Sequence, residues 1–158
     1  MAHRLRPATP DDRDVLLRVY GSTREEELRL VDWSDDQKAA FVRQQFDAQD
    51  TYYREHYDSA TFDVIEADGE AVGRFYVARW EDEIRIVDVA LLPDHRGRGI
   101  GTTLLRELLD EGARTGKRVS IHVERNNPAL RLYERLGFVP AAGQGQGVYL
   151  LLEASPTV

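Results

Sequence analysis

The sequence predicts a mixed α/β domain, of the α+β kind, in which a mostly antiparallel sheet is flanked by helices. Three observations carry this reading. Two extended runs, TFDVIEA and AVGRFYVARW, flank Asp68-Gly69, the dipeptide of a tight hairpin. A third run, Ile84 to Leu92, follows the turn Glu81-Asp82-Glu83 and completes an antiparallel meander. After it the pattern becomes strand, loop, helix, strand, helix, strand, preceded by helices at the N-terminal end, an order that a regular parallel sheet does not give.

The elements follow in chain order. His3 to Arg6 reads as a short first strand. Thr9-Pro10-Asp11-Asp12 is a helix start, with a capping hydroxyl, proline at the first helical position and acids in the first turn. Val15, Leu16, Val19 and Tyr20 give that helix an apolar stripe, and Gly21 reads as its stop. Ser22 to Leu30 opens a second short helix. Ser34 with Gln37 forms a capping-box pattern ahead of a third helix, Asp35 to Ala48, which carries Ala40, Phe41 and Phe46. Tyr52, Tyr53 and Tyr57 make the next segment aromatic, and the meander begins at Thr61.

Past the meander, Ile100, Leu104 and Leu108, with Leu105 and Leu109 beside them, have helical spacing, and Gly116 marks a stop. Arg118 to Val123 is a strand with Val119, Ile121 and Val123 on one face. Pro128 opens another helix, with Ala129, Leu132, Tyr133 and Leu136, ended by Gly137. Val148 to Leu152 is the last strand, paired with Phe138 to Ala141 across the GQGQG turn.

The 158 residues predict one domain, 1–158, long enough to bury a core without covalent staples. The chain has no cysteine, which excludes a disulfide, a zinc–thiolate site and a cysteine nucleophile. Its formal net charge of −7 argues against nucleic acid as a partner, since such partners need a basic face. The N-terminus has no signal-peptide pattern, and no run approaches the roughly 18 apolar residues of a membrane span. A cytoplasmic protein without a membrane partner is expected.

Between strand and helix lies LLPDHRGRGIGTTLL, residues 91 to 105. Glycines here permit positive φ and close approach to the main chain. A helix start behind them aims several N–H groups outward and adds the positive end of the helix dipole, which makes an anion site. Arg96 and Arg98 reinforce it through charge-assisted contacts. A phosphate or pyrophosphate suits the site. The alternative is a flexible turn with solvated arginines. No Gly-Lys-Ser or Gly-Lys-Thr is present, so it is not a Walker loop. Gly97, Gly99 and Gly101 alternate strictly, so the dinucleotide fingerprint fails as well.

At these residues the chain resembles the GNAT superfamily of acyl-CoA-dependent N-acetyltransferases. That family's first signature is Gln or Arg, two residues, Gly, one residue, then Gly or Ala, after a strand ending in an apolar-x-Pro step. Here it reads Leu91-Leu92-Pro93, then Arg96-Gly97-Arg98-Gly99-Ile100-Gly101. The second signature appears as Asn126, Ala129, Tyr133, Gly137 and Phe138. The match covers roughly 61 to 152.

The resemblance implies a sheet splayed between its fourth and fifth strands, with acetyl-CoA as co-substrate, an amine acceptor and no metal. It implies that the backbone amides of Arg96, Gly97, Arg98, Gly99, Ile100, Gly101 and Thr102 hold the pyrophosphate. The pantetheine arm would lie in the splay like an added strand. The Leu91 amide would hydrogen-bond the acetyl carbonyl, an effect worth about 3–4 kcal/mol as charge develops there. Asn126 would sit beside the cofactor arm, or else cap a helix in competition with Asn127.

By resemblance Tyr133 is the acid that protonates the leaving thiolate. Its place on the stripe with Ala129, Leu132 and Leu136 equally suits a core aromatic. An alkylammonium, of pKa about 10.4, must lose a proton before attack. His122 stands near the position where some relatives carry a glutamate base, and an ordinary strand histidine is the other reading. Asp88 matches an acid that orients a cation in some relatives, and an exposed strand residue is the other reading. Glu26 and Glu27, in the run Glu25-Glu26-Glu27, fall where an acceptor is covered; a solvated helical turn explains them too. The chain is thus expected to acetylate a primary amine, as a monomer or as a homodimer formed through an exposed last strand. An acyl-CoA sensor of the same fold is the second function class, and an RNA- or phosphate-binding module the third.

Overall fold

The computed structural model describes residues 3–142 and 147–156. Its strands are β1 (His3–Pro7), β2 (Thr61–Ala67), β3 (Glu70–Arg79), β4 (Glu83–Leu91), β5 (Arg118–Glu124), β6 (Val139–Pro140) and β7 (Tyr149–Ala154). Its α-helices are α1 (Arg13–Ser22), α2 (Glu25–Arg29), α3 (Asp35–His56), α4 (Ile100–Thr115) and α5 (Leu130–Arg135). The strands form a seven-stranded sheet in the order β1-β2-β3-β4-β5-β7-β6. Every neighbouring pair is antiparallel except β4 and β5, which are parallel.

The meander forms where the sequence places it. Asp68 and Gly69 both have positive φ, 52° and 84°, as the two-residue hairpin turn requires. The first helix begins with a 3-10 turn, Pro10–Asp12, and the Thr9 amide donates to the Asp12 carboxylate at 2.8 Å. Gly21 does not end α1, contrary to the expectation. The helix runs through it to Ser22, and Ser22 and Thr23 hydroxyls take the carbonyls of Val19 and Tyr20. Gly21 instead faces α3, where a Cβ would meet Val42 Cγ1 at 3.4 Å, an ordinary contact distance.

The largest departure is α3, which continues past Ala48 to His56. No glycine or proline interrupts residues 35–60, and Phe46, Gln49 and Tyr53 recur at helical spacing. The aromatic segment is therefore the helix's second half rather than a separate element. At the other end, Pro128 stays outside α5, which starts at Leu130. Gly116 and Gly137 end their helical segments with φ of 71° and 101°.

Two apolar layers cover the sheet. On one face α4 and α5 pack Ile100, Leu104, Leu105, Leu108 and Tyr133 over Phe75, Ile84, Ile86, Val119 and Leu152. Burying each of the larger of these side chains contributes roughly 1.5–3 kcal/mol. On the other face α1 and α3 bring Leu16, Tyr20 and Phe46 onto Val64. The last strand is not an edge. β7 pairs with β5 along its length on one side and, on the other, with the two-residue β6 at Leu152 and Glu153. Residues 143–146 of the GQGQG turn lie outside the described residues. Among the described residues, no helix is long and apolar enough to cross a membrane.

Candidate functional site

The site starts from a failure of strand pairing. β4 and β5 pair from Glu83 with Arg118 to Ile86 with Ile121, and there the ladder stops, although β4 runs on to Leu91 and β5 to Glu124. The cause lies on the other edge of β4. Tyr76 pairs with Asp88 but its neighbour Val77 pairs with Ile86, leaving Val87 as the extra residue of a β-bulge. A bulge bends its strand, and this one falls where β4 parts from β5. A wedge opens between the C-terminal ends of the two strands.

The wall of the wedge is a row of main-chain groups. Leu92 donates to the Val72 carbonyl across β3, at 2.8 Å. Antiparallel strands alternate the direction of successive amides, so the Leu91 amide and carbonyl turn away from β3 toward the wedge. That carbonyl accepts the Arg96 Nε–H at 2.9 Å, and Arg96 also reaches the Ser22 hydroxyl of α1 at 3.1 Å. Gly73 stands opposite Leu91, where a Cβ would come within 2.3 Å of the Ala90 carbonyl oxygen.

A short 3-10 turn, Pro93–His95, leads into the glycine loop. The Arg96 amide is used internally, donating to Pro93 at 3.2 Å. The amides of residues 97–102 meet no acceptor among the described residues, and the first α4 bond is Thr103 to Gly99 at 3.0 Å. Gly97 and Gly99 have φ of 72° and 87°, in the left-handed region, and open space lies where their side chains would be. Gly101 is not strained; its Cβ would lie 3.9 Å from Leu91 Cδ1. Buried Ile100 pins the start of α4 to the core. The loop thus presents consecutive unused donors at the N-terminus of a 16-residue helix. Arg98 is exposed beside them and has no ion-pair partner among the described residues.

Tyr133 is 5% exposed and meets Phe138 edge-on, with ring centroids 5.9 Å apart. Burial, and secondarily the charge of Asp88, push its phenol up to about 12. No hydrogen bond engages its hydroxyl among the described residues. Asp88 is the most heavily engaged of the candidate residues. Its carboxylate accepts Tyr53 Oη–H at 2.7 Å and two N–H groups of Arg74, at 2.8 and 3.2 Å. Arg74 is itself buried, 4% exposed in its side chain, and also donates to Gln49 at 2.7 Å. Burial, with Asp88 next, raises the Tyr53 phenol far above its ordinary range.

His122 is exposed on β5, on the face opposite Ile121 and Val123. Its Nδ1 lies 3.4 Å from Arg85. Partial burial and the Arg85 charge lower its pKa below the ordinary 6.5, which favours the neutral imidazole. Arg85 is held in turn by Glu83 and Ser120, and it lies over the Trp80 ring at 5.3 Å. Asn126 is exposed; the side chain that meets the helix start is Asn127, whose Oδ1 accepts the Ala129 amide at 2.8 Å.

At α2, Glu27 is paired with Arg24 and Glu26 is exposed. A groove of about 720 Å³ lies beside this helix, between α1, α2 and α3, and of the three acids it is Glu25 that lines it. Its walls end at Leu92 and Pro93, next to Leu91.

Sequence reasoning missed three features of the site. The bulge at Val87 leaves no compositional trace. Gly73 looks like any strand glycine, although its position in the meander was a cue to close approach. The Tyr53–Asp88–Arg74–Gln49 network joins residues 35, 14 and 25 positions apart, and only the fold brings them together.

Residues 26–138 match the model of the acetyltransferase (GNAT) family. Over 96 residues the chain is 35% identical to the streptothricin acetyltransferase of Streptomyces lavendulae, a match covering 58% of this chain and 51% of that protein. Over 100 residues it is 35% identical to a protein of Bacillus subtilis (strain 168) whose name assigns it, as an N-acetyltransferase, to the alanine of ribosomal protein bS18; that match covers 58% of this chain and 64% of the relative. The chain therefore aligns with between half and two thirds of these curated relatives. Among solved structures, the PaiA N-acetyltransferase of Thermoplasma acidophilum, in complex with coenzyme A, superposes with a TM-score of 0.72 at 18% identity, over 98% of this chain and 99% of that one. At that identity the likeness speaks for the fold.

Proposed function

The chain belongs to the acetyltransferase (GNAT) family, and from that premise we propose that residues 1–158 act as one N-acetyltransferase domain that moves the acetyl group of acetyl-CoA to a primary amine by direct attack. The observation that carries this reading is the run of unused amides at 97–102 beside the unpaired ends of β4 and β5. A diphosphate needs converging donors at a helix start, and an extended arm needs free strand edges; the chain supplies both within a few residues. The name of the Bacillus relative, an alanine N-acetyltransferase, supports nitrogen as the acceptor atom.

Acetyl-CoA, when bound, supplies an activated acyl group. The chain's own residues do the rest. The Leu91 amide, turned into the wedge and steadied through its carbonyl by Arg96, donates to the acetyl oxygen. Tyr133 donates a hydrogen bond to the sulfur as the C–S bond breaks. With its phenol near 12, full proton transfer to a thiolate is uphill by roughly 5 kcal/mol, so hydrogen-bond donation is the role this setting favours. His122, held neutral, accepts the proton that the ammonium must lose, directly or through water. Asp88 already accepts three hydrogen bonds, so its part is to hold Arg74 and Tyr53 and to keep Tyr133 protonated rather than to take up a proton. Asn126 flanks the cofactor arm, and Arg98 adds charge near the diphosphate.

The test is release of free thiol from acetyl-CoA across a panel of amines. Release that depends on the amine is expected. Tight binding of acetyl-CoA with no release for any amine would identify an acyl-CoA sensor of the same fold instead.

A further inference from the structure

We propose that the groove between α1, α2 and α3 binds a carboxylate carried by the acceptor, so that the substrate is an amine with an acidic group on an apolar body. This deepens the acetyl-transfer reading and rests on it. The chain is acidic overall, with a net charge of −7, and among the described residues at least nine arginines stand in ion pairs. The groove reverses that balance. It gathers Arg18 from α1, Arg29 from α2, and Lys38 and Arg43 from α3. None of the four has an ion-pair or hydrogen-bond partner among the described residues. Glu25 is the one carboxylate among its lining residues.

Like charges gathered in a concave site reinforce one another's potential and attract an anion. A dication or polyamine meets the opposite force, so polyamine and aminoglycoside-like acceptors are disfavoured. Leu17, Leu28, Ala39 and Val42 add apolar surface to the groove's lining, which suits an acceptor with a hydrocarbon side chain. Position supplies the link to the reaction. Leu92 and Pro93 line the groove immediately after Leu91, and Ser22, which holds the Arg96 guanidinium, lines it too. An acceptor anchored here by its carboxylate lies beside the strand end where the thioester is expected.

The experiment compares matched amines that differ by one carboxylate, leucine against isoamylamine and phenylalanine against phenethylamine, in the thiol-release assay with the full chain. At low salt the carboxylate-bearing member should have a KM at least tenfold lower, and the ratio should shrink as salt is raised. In Lys38→Gln/Arg43→Gln, both surface substitutions, the ratio should fall toward one. Equal KM values in the wild type, or an unchanged ratio in the variant, overturn the proposal while leaving acetyl transfer intact.

A second arm compares acetyl-CoA with its 3′-dephospho form. If the variant loses the distinction between these two instead, the groove serves the cofactor's phosphate and the proposal is wrong. Should no amine be acetylated, acetyl transfer itself fails, and the groove is read by titrating N-acetylleucine. Saturable binding that weakens in the variant upholds the anion site; no binding removes it.

Discussion

The guanidinium of Arg96 reaches back five residues to hold the carbonyl of Leu91, Nε to oxygen 2.9 Å, while its other arm holds Ser22 of α1. One side chain thus ties the end of β4, the start of the glycine loop and the end of α1 together. The family signature marks Arg96 as part of the cofactor site. The structure gives its side chain a mechanical task, fixing the peptide that follows the Leu91 amide. Arg96→Met should lower turnover about five- to tenfold, the worth of about 1 kcal/mol of positioning, with little change in melting temperature because the side chain is exposed. Steady-state kinetics alongside a thermal melt checks this. A large melting loss with kinetics unchanged would make Arg96 merely structural.

Arg74 and Asp88 form a buried ion pair beside the wedge, 4% and 14% exposed in their side chains. Removing one partner strands the other. Arg74→Met should destabilise the protein by about 3–5 kcal/mol, lowering the melting temperature by roughly 10 °C. Arg74→Met/Asp88→Asn should recover much of that loss. A single variant as stable as the wild type would mean that the pair is solvated in solution.

Two glycines predict opposite signatures. At Gly73 a Cβ collides with the Ala90 carbonyl at 2.3 Å, so Gly73→Ala should cost roughly 1–3 kcal/mol of stability by overpacking. At Gly99 a Cβ meets open space, and the penalty comes from a φ of 87°, about 1–2 kcal/mol for a non-glycine residue. Gly99→Val should nevertheless abolish measurable acetyl-CoA binding, because the branched side chain occupies the space in front of the loop amides. Calorimetric titration of a folded Gly99→Val variant decides this; wild-type affinity would place the cofactor elsewhere.

How much of this was legible in sequence depends on the range of the interaction. The meander, the hairpin at Asp68-Gly69 and the start of α4 at Ile100 rest on local chemistry, so periodicity and turn residues disclose them. The loop amides at 97–102 follow from glycine spacing before a helix. The length of α3 was missed because Tyr52, Tyr53 and Tyr57 read as an aromatic cluster, although no breaker separates them from Ala48. Asp88 stands out by the family resemblance, but its engagement by Arg74 depends on cross-strand register, and that by Tyr53 on a helix from elsewhere in the chain. Glu26 and Glu27 fall by resemblance where an acceptor is covered; the cations of the neighbouring groove come from three helices, and no linear pattern gathers them.

The pH dependence of turnover should follow His122. Partial burial and Arg85 lower its pKa, so the base is present at neutral pH and is lost on acidification. The rate should therefore rise with pH through a midpoint below 6.5. Arg85→Met removes the nearby positive charge and should move that midpoint upward. Tyr133, near 12, should contribute no alkaline loss below about pH 11. A wild-type profile flat on the acid side, or one unmoved by Arg85→Met, would assign deprotonation of the amine to water.

The central claim is that the Tyr133 hydroxyl serves the leaving sulfur of a thioester held in the wedge. The direct measurement is single-turnover thiol release by Tyr133→Phe with acetyl-CoA and acceptor both saturating. Phenylalanine keeps the ring that packs on Phe138, so the fold and acetyl-CoA affinity should be nearly preserved. The account predicts a rate at least about a hundredfold lower, the scale of a lost hydrogen-bond donor to developing negative charge. A rate equal to that of the wild type would contradict it and return Tyr133 to the core.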